Sequence, residues 1–218
     1  MDKSNKLIVF ISKLVARKAD HVFYLKDIVK ELFKNQIDKL EYMPCGINTE
    51  IFEFKKLKNN SDLVKIAFPA SKLRPEKNYS FFLKIIEVLN LDYKLNTEVI
   101  EIHGKTRKEV CDILNSVDVL VMTSISEGSP QIIKEAMCCN TPIVSSYVGD
   151  VSILLKNITN CFVINKFDEN LFSKAILEIL KIEPEKRISN GRQRIFDLGL
   201  DEESTSRKIM NAYKILTS

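Results

Sequence analysis

Two glutamates stand eight positions apart on either side of a predicted helix start. Glu127 precedes Gly128, Ser129 and Pro130, and Glu135 falls in the second helical turn. Ser129 is a favourable N-cap and Pro130 suits the first helical position, while Gly128 lets a ligand approach the backbone. Carboxylates accept hydrogen bonds from a sugar diol, and helix starts bind anions. The pattern predicts a site for such a ligand, but from the residues alone a capped surface helix with solvated glutamates fits equally well.

A group of cations precedes another predicted helix. Lys72, Arg74 and Lys77 follow a predicted strand at residues 64–69, and we expect Lys77 in the first turn of a helix at residues 78–89. Three cations there can neutralise a diphosphate, although a solvated loop is the alternative. In an open α/β sheet, ligands bind beyond the carboxyl ends of the strands. Both groups are therefore predicted to line one edge of the same crevice.

Short apolar runs alternate with helical segments from about residue 62 onward. The predicted strands are residues 64–69, 98–102, 117–122, 142–145 and 161–164. The predicted helices are residues 78–89, 107–115, 130–139, 151–156, 169–180, 184–196 and 202–216. Short, continuously apolar strands between helices are typical of a parallel sheet covered on both faces. The fold class is therefore α/β, a doubly wound, Rossmann-like parallel sheet with extra terminal helices.

The first sixty residues follow another pattern. Helices are predicted at residues 7–19 and 26–33 and strand-like segments at residues 21–25 and 40–43, and a hydrophilic run at residues 55–61 marks the best boundary before the main repeating units. We divide the chain into a helical segment at residues 1–22, a Rossmann-like domain at residues 23–200 and a C-terminal helix at residues 201–218. That last helix is expected to pack back onto the domain or onto a partner.

The net charge of +4 is concentrated at the start of the chain. Residues 1–40 hold nine basic and five acidic side chains, an excess that equals the net charge of the whole protein. Two interpretations stay open: a solvated helix face, or a patch that contacts anionic lipid or a partner subunit. Nucleic-acid binding is not expected, because the basic residues do not alternate with aromatic residues in a known motif.

The cysteines and the N-terminus bear on the cellular compartment. Five cysteines form no metal-ligand spacing and fit reduced, buried thiols. The apolar stretch at residues 7–11 is soon interrupted by basic residues, so neither a signal peptide nor a membrane-spanning helix is expected. We predict a cytoplasmic protein, with peripheral contact at the inner face of the membrane as an open extension.

In its ordered context, the Glu-x7-Glu element resembles the retaining glycosyltransferases of family 4, which have the two-domain GT-B fold. The resemblance covers roughly residues 20 to 215. The segments that carry it are residues 43–48 with Phe52, residues 74–78, 118–121, 127–137 and 141–144, and Gly149 with Asp150. It implies that the chain corresponds to the C-terminal, donor-binding domain of such an enzyme.

The resemblance implies a role for each matching residue of the Glu-x7-Glu element. Glu127 would contact the hydroxyls of the donor sugar, and Gly128 and Ser129 would offer backbone N–H groups to it. Pro130 belongs to the same donor-binding turn. Glu135 would hold the ribose hydroxyls of the nucleotide.

The resemblance also assigns the cations. Lys77 would stabilise the departing diphosphate, together with Lys72, which stands where the family usually has arginine. Arg74 is a third candidate for that contact. Such enzymes generally use no metal, because these cations replace it, so no metal or other cofactor is expected. The nucleobase is placed near His103, Gly104 and Thr106, which follow the second strand of the main part.

The resemblance does not extend to the N-terminal domain that binds the acceptor in this family. We therefore expect a donor domain that binds a nucleotide-diphospho-sugar and needs a separate N-terminal GT-B half as partner. The alternative is a nucleotide-sugar-binding or interaction module without catalysis. An unrelated Rossmann-type binding domain has less support, because no Gly-x-Gly-x-x-Gly element follows any predicted strand.

Overall fold

A computed structural model describes residues 3–25, 28–55 and 63–217 of the chain. All but the first residue of the predicted boundary run at residues 55–61 lies outside these ranges, and so do the first two residues of the helix predicted at residues 26–33.

The N-terminal part forms a small parallel sheet of its own. The chain runs through α1 (Lys3–Lys18), β1 (Val22–Tyr24), α2 (Ile28–Leu32), a 3-10 helix (Lys34–Lys39) and β2 (Leu40–Tyr42). Strands β1 and β2 pair with each other, with Val22 opposite Leu40. The segment after β2 leads into the main sheet.

The main part alternates strands and helices as the sequence predicts. Its elements are β3 (Val64–Phe68), α3 (Tyr79–Leu91), β4 (Thr97–Glu101), α4 (Arg107–Ser116), β5 (Val119–Met122), α5 (Gln131–Cys138), β6 (Ile143–Ser146), α6 (Val151–Leu154), β7 (Cys161–Ile164) and α7 (Glu169–Leu180). A 3-10 helix (Pro184–Lys186), α8 (Gly191–Asp197) and α9 (Glu202–Thr217) follow. Most predicted bounds agree within two residues.

The five strands of the main sheet are parallel and lie in the order β4-β3-β5-β6-β7. After β3 the chain crosses to β4 at one edge, and it then returns to β5 on the other side of β3. The connections that leave β3 and β5 therefore diverge and open a crevice at the carboxyl ends of these two strands. The predicted doubly wound α/β fold is confirmed.

Both faces of the sheet are covered. Along β3, Ile66 and Phe68 pack on the face with α3 and α7, whereas Ala67 between them packs with α4, α5 and α8. This alternation follows from the two-residue period of a strand. Because both faces are buried, the strands read as continuous apolar runs.

The helix predicted at residues 184–196 was wrong as a single element. It is split into the 3-10 helix and α8 because tertiary contacts hold the residues between them. Ser189 donates its backbone N–H to the Asn140 carbonyl at 2.7 Å, and the Asn190 side chain accepts one from the backbone of Thr159 at 2.9 Å. Gly191 then begins α8 against the backbone of Met137, where a Cβ would come within 2.7 Å of the Met137 Cα.

The final helix is anchored to the segment that follows β2. Ile47 pairs with Asp201, and Ile47 donates its N–H to the Leu200 carbonyl at 2.8 Å. The domain boundaries at residues 22 and 200 stay predictions. Within the described ranges, no helix combines the length and apolar character needed to cross a membrane.

Candidate functional site

An ion pair lies at the crevice between the carboxyl ends of β3 and β5. The Lys77 Nζ and Glu127 Oε1 atoms are 2.6 Å apart, and each side chain is 14% exposed. Lys77 belongs to the loop after β3 and Glu127 to the loop after β5, fifty residues later in the chain. The two groups of residues predicted to share one crevice are therefore in direct contact.

The position of Lys77 differs from the prediction. It does not lie in the first turn of α3 but ends the 3-10 helix Pro75–Lys77, which precedes α3. Asn78 separates the two helices in the left-handed conformation, with φ of 55°. Asparagine tolerates this conformation better than most residues. The reversal lets α3 begin anew at Tyr79, while Lys77 stays beside the β5 loop.

Hydrogen bonds between the two loops hold the ion pair in place. The buried Thr123 hydroxyl donates to the Lys77 carbonyl at 2.9 Å, and the Ile125 N–H donates to the Glu76 carbonyl at 2.8 Å. The end of the neighbouring strand β6 contributes as well, because the Ser146 hydroxyl donates to the Ser124 carbonyl at 2.7 Å. The approach of Lys77 and Glu127 is thus fixed by the backbone as well as by their charges.

The start of α5 also departs from the prediction. Pro130, not Ser129, occupies the N-cap position, and no side chain caps the helix. Ser129 instead accepts a hydrogen bond from the Lys134 ammonium at 3.3 Å. The shift moves the helix start to Gln131. The first N–H groups of α5 thus have no side-chain cap, as suits a helix start that receives an anion.

Glu135 lies half-buried in the second turn of α5, where it was predicted. Burial raises the pKa of its carboxyl, and the positive charges of Arg107 and Lys134 oppose that rise. No hydrogen bond to this carboxylate is formed within the described ranges of the chain. A half-buried carboxylate without donors is available to accept hydrogen bonds from a ligand. Arg107 is the first residue of α4.

The other predicted cations are more exposed. Lys72 is exposed, and its backbone N–H donates to the Glu101 carboxylate at 3.1 Å. The Arg74 guanidinium is engaged by Glu76, with Arg74 Nε 2.6 Å from Glu76 Oε1. A ligand must therefore compete with Glu76 for Arg74, whereas the Lys72 side chain is open to solvent.

The residues predicted near a nucleobase form an exposed turn after β4. Gly104 has φ of +75° and open space around its Cα, while His103 is exposed. The Thr106 hydroxyl serves as the N-cap of α4 in a reciprocal capping box with Glu109. The Thr106 hydroxyl is therefore engaged in capping α4, whereas His103 and Gly104 are open to solvent.

Several residues of the site had no role predicted from the sequence. Lys134 is fully buried, and its ammonium donates to the Cys45 carbonyl at 2.7 Å. Asp150 is buried and accepts a hydrogen bond from the Tyr42 hydroxyl at 2.8 Å. Lys134 follows Gln131 by three residues, so both side chains lie on the same face of α5. The Gln131 amide donates to the Gly46 carbonyl at 3.0 Å, next to the Cys45 carbonyl that Lys134 contacts. This spacing was the signal available in the sequence.

Comparisons with known proteins show that the chain is similar to glycosyltransferases. Residues 85–181 match the family model of glycosyl transferases group 1. The chain is 25% identical over 197 residues to the O-antigen chain mannosyltransferase RfbU of Salmonella typhimurium, covering 78% of this chain and 54% of that protein. The chain spans about half the length of the curated relatives it matches.

Two solved structures share the fold. Sucrose-phosphate synthase from Thermosynechococcus elongatus superimposes with a TM-score of 0.76 at 18% identity, over 97% of this chain and 62% of that one. Anabaena HepE in complex with UDP and glucose superimposes with a TM-score of 0.70 at 14% identity, over 94% of this chain and 66% of that one.

Proposed function

We propose that the chain is the C-terminal, donor-binding domain of a GT-B glycosyltransferase and that it binds the nucleotide-diphospho-sugar donor for a retaining, family 4-type transfer. The match to the family model of glycosyl transferases group 1 and the shared fold support this proposal. The observation that carries the proposal is the ion pair of Lys77 and Glu127 at the crevice between β3 and β5. The Lys77 ammonium can bind the diphosphate of such a donor, and the Glu127 carboxylate can accept hydrogen bonds from its sugar hydroxyls.

In the proposed complex, the diphosphate competes with Glu127 for the Lys77 ammonium. Once Lys77 turns to the phosphate oxygens, the Glu127 carboxylate is free to accept hydrogen bonds from the sugar. The positive charge beside the leaving diphosphate then stabilises the negative charge that develops as the glycosidic bond breaks. Lys72 and Arg74 complete this electrostatic role, and the proposal includes no metal. The dissociation constant of UDP should therefore be the same with and without a chelator.

The remaining contacts of the donor follow the shape of the crevice. We propose that Glu135 accepts hydrogen bonds from the ribose, since it is half-buried and has no donor of its own in the described part of the chain. The uncapped start of α5 faces the diphosphate, and the backbone of Gly128 and Ser129 faces the sugar. The nucleobase lies above the open turn at His103 and Gly104.

An acceptor-binding domain is proposed to complete the enzyme as the other half of the GT-B fold. The curated relatives are about twice as long as their matched part, and this supports a second domain in the whole enzyme. The activity of the whole enzyme, its donor sugar and its acceptor are part of this proposal. A nucleotide-sugar-binding module without catalysis would bind the same donors and transfer no sugar when the acceptor-binding half is supplied.

The proposed function is tested by thermal unfolding of the chain with UDP, GDP and their sugars. A ligand at about 100 times its dissociation constant stabilises the folded state by about 2.7 kcal/mol, which is roughly 5 to 10 °C in melting temperature for a chain of this size. We expect at least one nucleotide to produce such a shift. If none of them raises the melting temperature, the donor site does not exist.

Replacing Lys77 with methionine should weaken UDP binding by about 10- to 100-fold, because a hydrogen bond to a charged group is lost. Uridine, which has no diphosphate, should bind the variant as it binds the native protein. Isothermal titration with both ligands measures the difference. Lys84→Met, at an exposed position of α3, is the matched control. An equal loss of UDP and uridine binding would contradict the role of Lys77.

The Lys77→Met variant also leaves Glu127 without its partner. The double variant Lys77→Met/Glu127→Gln removes this side effect, because both charges of the pair are then absent. We expect the double variant to recover stability relative to Lys77→Met but not UDP affinity. Recovery of UDP affinity in the double variant would show that the unpaired Glu127 charge, and not a lost phosphate contact, weakened binding.

Residues 127–129, here called the donor loop, lie against the turn that holds Gly149, and Gly149→Ala should displace that loop. Gly149 has φ of +55°, and a Cβ there would come within 2.2 Å of the Gly128 carbonyl oxygen. We expect a loss of about 1 to 3 kcal/mol in the free energy of unfolding and weaker binding of nucleotide sugars, measured by urea unfolding and titration.

Gly199→Ala is the matched control for Gly149→Ala. Gly199 has a similar φ of +60°, but the nearest atom to its added Cβ is the flexible end of Lys208 at 3.4 Å. The control therefore carries the same backbone strain without the collision. If both variants lose the same stability and neither loses nucleotide-sugar affinity, the contact of Gly149 with the donor loop is unimportant.

A further inference from the structure

Lys134 is a fully buried lysine whose ammonium is held by two hydrogen-bond acceptors, one in the segment after β2 and one in the loop before α5. Its Nζ donates to the Cys45 carbonyl at 2.7 Å and to the Ser129 hydroxyl at 3.3 Å. Burial lowers the pKa of the ammonium, and the negative charge of Asp150 is the largest influence that opposes this shift. The two hydrogen bonds of the ammonium thus connect the segment after β2 with the donor loop.

Asp150, in the turn after β6, lies near β2 and the donor loop. One carboxylate oxygen accepts a hydrogen bond from the Tyr42 hydroxyl at 2.8 Å, while the other, Oδ1, is buried and accepts none from the residues that the structure describes. Its neighbour Gly149 touches the backbone of Gly128. The buried Asp150 carboxylate and the buried Lys134 ammonium therefore lie near the same donor loop. Buried polar groups of this kind restrict the movement of the segments that they contact.

A buried charge is a costly way to fill a core. A well-packed apolar side chain in place of a buried ion pair is often neutral or even stabilising, so packing alone does not explain a lysine at position 134. An apolar residue cannot, however, hold a hydroxyl and a carbonyl at fixed positions. What lysine adds is the simultaneous fixation of Ser129 and Cys45.

Ser129 is the residue through which this fixation reaches the ligand. Its hydroxyl accepts from Lys134, while its backbone lies in the turn that precedes the uncapped start of α5. We propose that Lys134 is a positioning residue for the donor sugar, holding the Glu127–Ser129 loop in the geometry that receives the sugar. This inference rests on the proposed function, and it assigns Lys134 no contact with the donor.

The proposal is tested by titrating the full chain and its variants with UDP and with UDP-glucose. For Lys134→Met we expect the dissociation constant of UDP-glucose to rise about tenfold, while that of UDP changes less than about twofold. Ser129→Ala removes only the hydroxyl that accepts from Lys134, so it should produce the same selective loss with little change in melting temperature. In the double variant the two losses should be less than additive, because both act on one contact.

A merely structural lysine would give a different result. Lys134→Met would then lower the melting temperature and weaken UDP and UDP-glucose equally, and Ser129→Ala would leave both unchanged. Either result overturns the proposal, as does unchanged UDP-glucose affinity in both variants. Lys174→Met, at an exposed position of α7, controls for the loss of one positive charge. If the native chain binds neither UDP nor UDP-glucose, the UDP-sugar form of the proposed function fails first, and the role of Lys134 fails with it.

Discussion

Glu135→Gln should weaken UDP binding by at least about 100-fold and, at neutral pH, raise the melting temperature of the unliganded chain. The first effect follows from the proposed contact with the ribose, in which a carboxylate accepts hydrogen bonds from two hydroxyls. Each hydrogen bond to a charged group contributes about 1.5 to 3 kcal/mol, and 2.8 kcal/mol corresponds to about 100-fold in affinity. An amide has one acceptor oxygen where the carboxylate has two.

The gain in stability follows from the environment of Glu135 in the unliganded chain. Burial raises the pKa of this carboxyl, against the opposing charges of Arg107 and Lys134. A carboxyl whose pKa is higher in the folded than in the unfolded state destabilises the fold wherever it is ionised. Below the unfolded-state pKa both states are protonated and the penalty is absent. The penalty appears as the pH rises and is complete above the raised folded-state pKa.

Glutamine carries no charge at any of these pH values and avoids the penalty. The melting temperature of Glu135→Gln should therefore exceed that of the native chain at neutral pH. The difference should shrink as the pH falls through the ordinary range of a glutamate. Thermal unfolding at a series of pH values measures it. Glu87→Gln, at an exposed position of α3, is the control and should show neither effect.

The two effects of Glu135→Gln separate a ligand-binding group from a structural one. A glutamate that stabilises the fold would lose stability on replacement, and a solvated glutamate would change neither quantity. Loss of nucleotide affinity together with a gain in stability is expected only where a carboxylate is kept in an unfavourable environment for its ligand. A variant that is less stable than the native chain and still binds UDP would contradict the assignment of the ribose contact.

The sequence predicted the parts of the fold that depend on local pattern. The alternation along β3 places Ile66 and Phe68 on one face and Ala67 on the other. Because both faces are buried, the strand is a short, continuous apolar run, and that run was sufficient to predict it. The bounds of β7 (Cys161–Ile164) and α7 (Glu169–Leu180) agree with the predicted residues. The start of α7 is fixed locally, because the Asp168 side chain caps the helix.

The order of the strands and the partners of the loops were outside the reach of local pattern. The expectation that the loops of Lys77 and Glu127 share a crevice came from a general rule of α/β sheets, and their ion pair agrees with it. The capping role given to Ser129 was wrong, because α5 has Pro130 as its N-cap and the Ser129 hydroxyl instead accepts a hydrogen bond from Lys134, five residues later.

Lys134 shows why the rest of the site could not be predicted. In the sequence it is one lysine among many charged residues, and a lysine in a short helix is normally solvated. Only the fold brings the Cys45 carbonyl and the Asp150 carboxylate to its ammonium. Both partners are distant in the chain, and one of them is a backbone atom, which has no sequence signature.

The largest expected effect on stability lies at the opposite end of the main sheet, where Arg187 and Asp118 form a buried ion pair. Asp118 also accepts the Lys65 N–H at 2.8 Å, and Arg187 donates to the Leu180 and Ile182 carbonyls at 3.0 Å each. Arg187→Met removes the guanidinium from this buried ion pair, which costs about 3 to 5 kcal/mol. Urea unfolding should show this loss, with a fall in melting temperature of roughly 10 °C.

The double variant Arg187→Met/Asp118→Asn distinguishes the loss of the charge–charge interaction from the loss of packing. Because asparagine still accepts the Lys65 N–H but carries no charge, the double variant should be more stable than Arg187→Met alone. An exposed pair, Arg207 and Glu203 at 3.7 Å, is the control, and Arg207→Met should cost less than about 1 kcal/mol.

Since Asp118 precedes β5 and the crevice follows it, nucleotide affinity should be unchanged in Arg187→Met at temperatures where the variant is folded. A loss of stability with intact nucleotide binding would show that the sheet holds its two ends independently, whereas weakened binding would mean that the Lys77–Glu127 crevice depends on how β5 is anchored at its start.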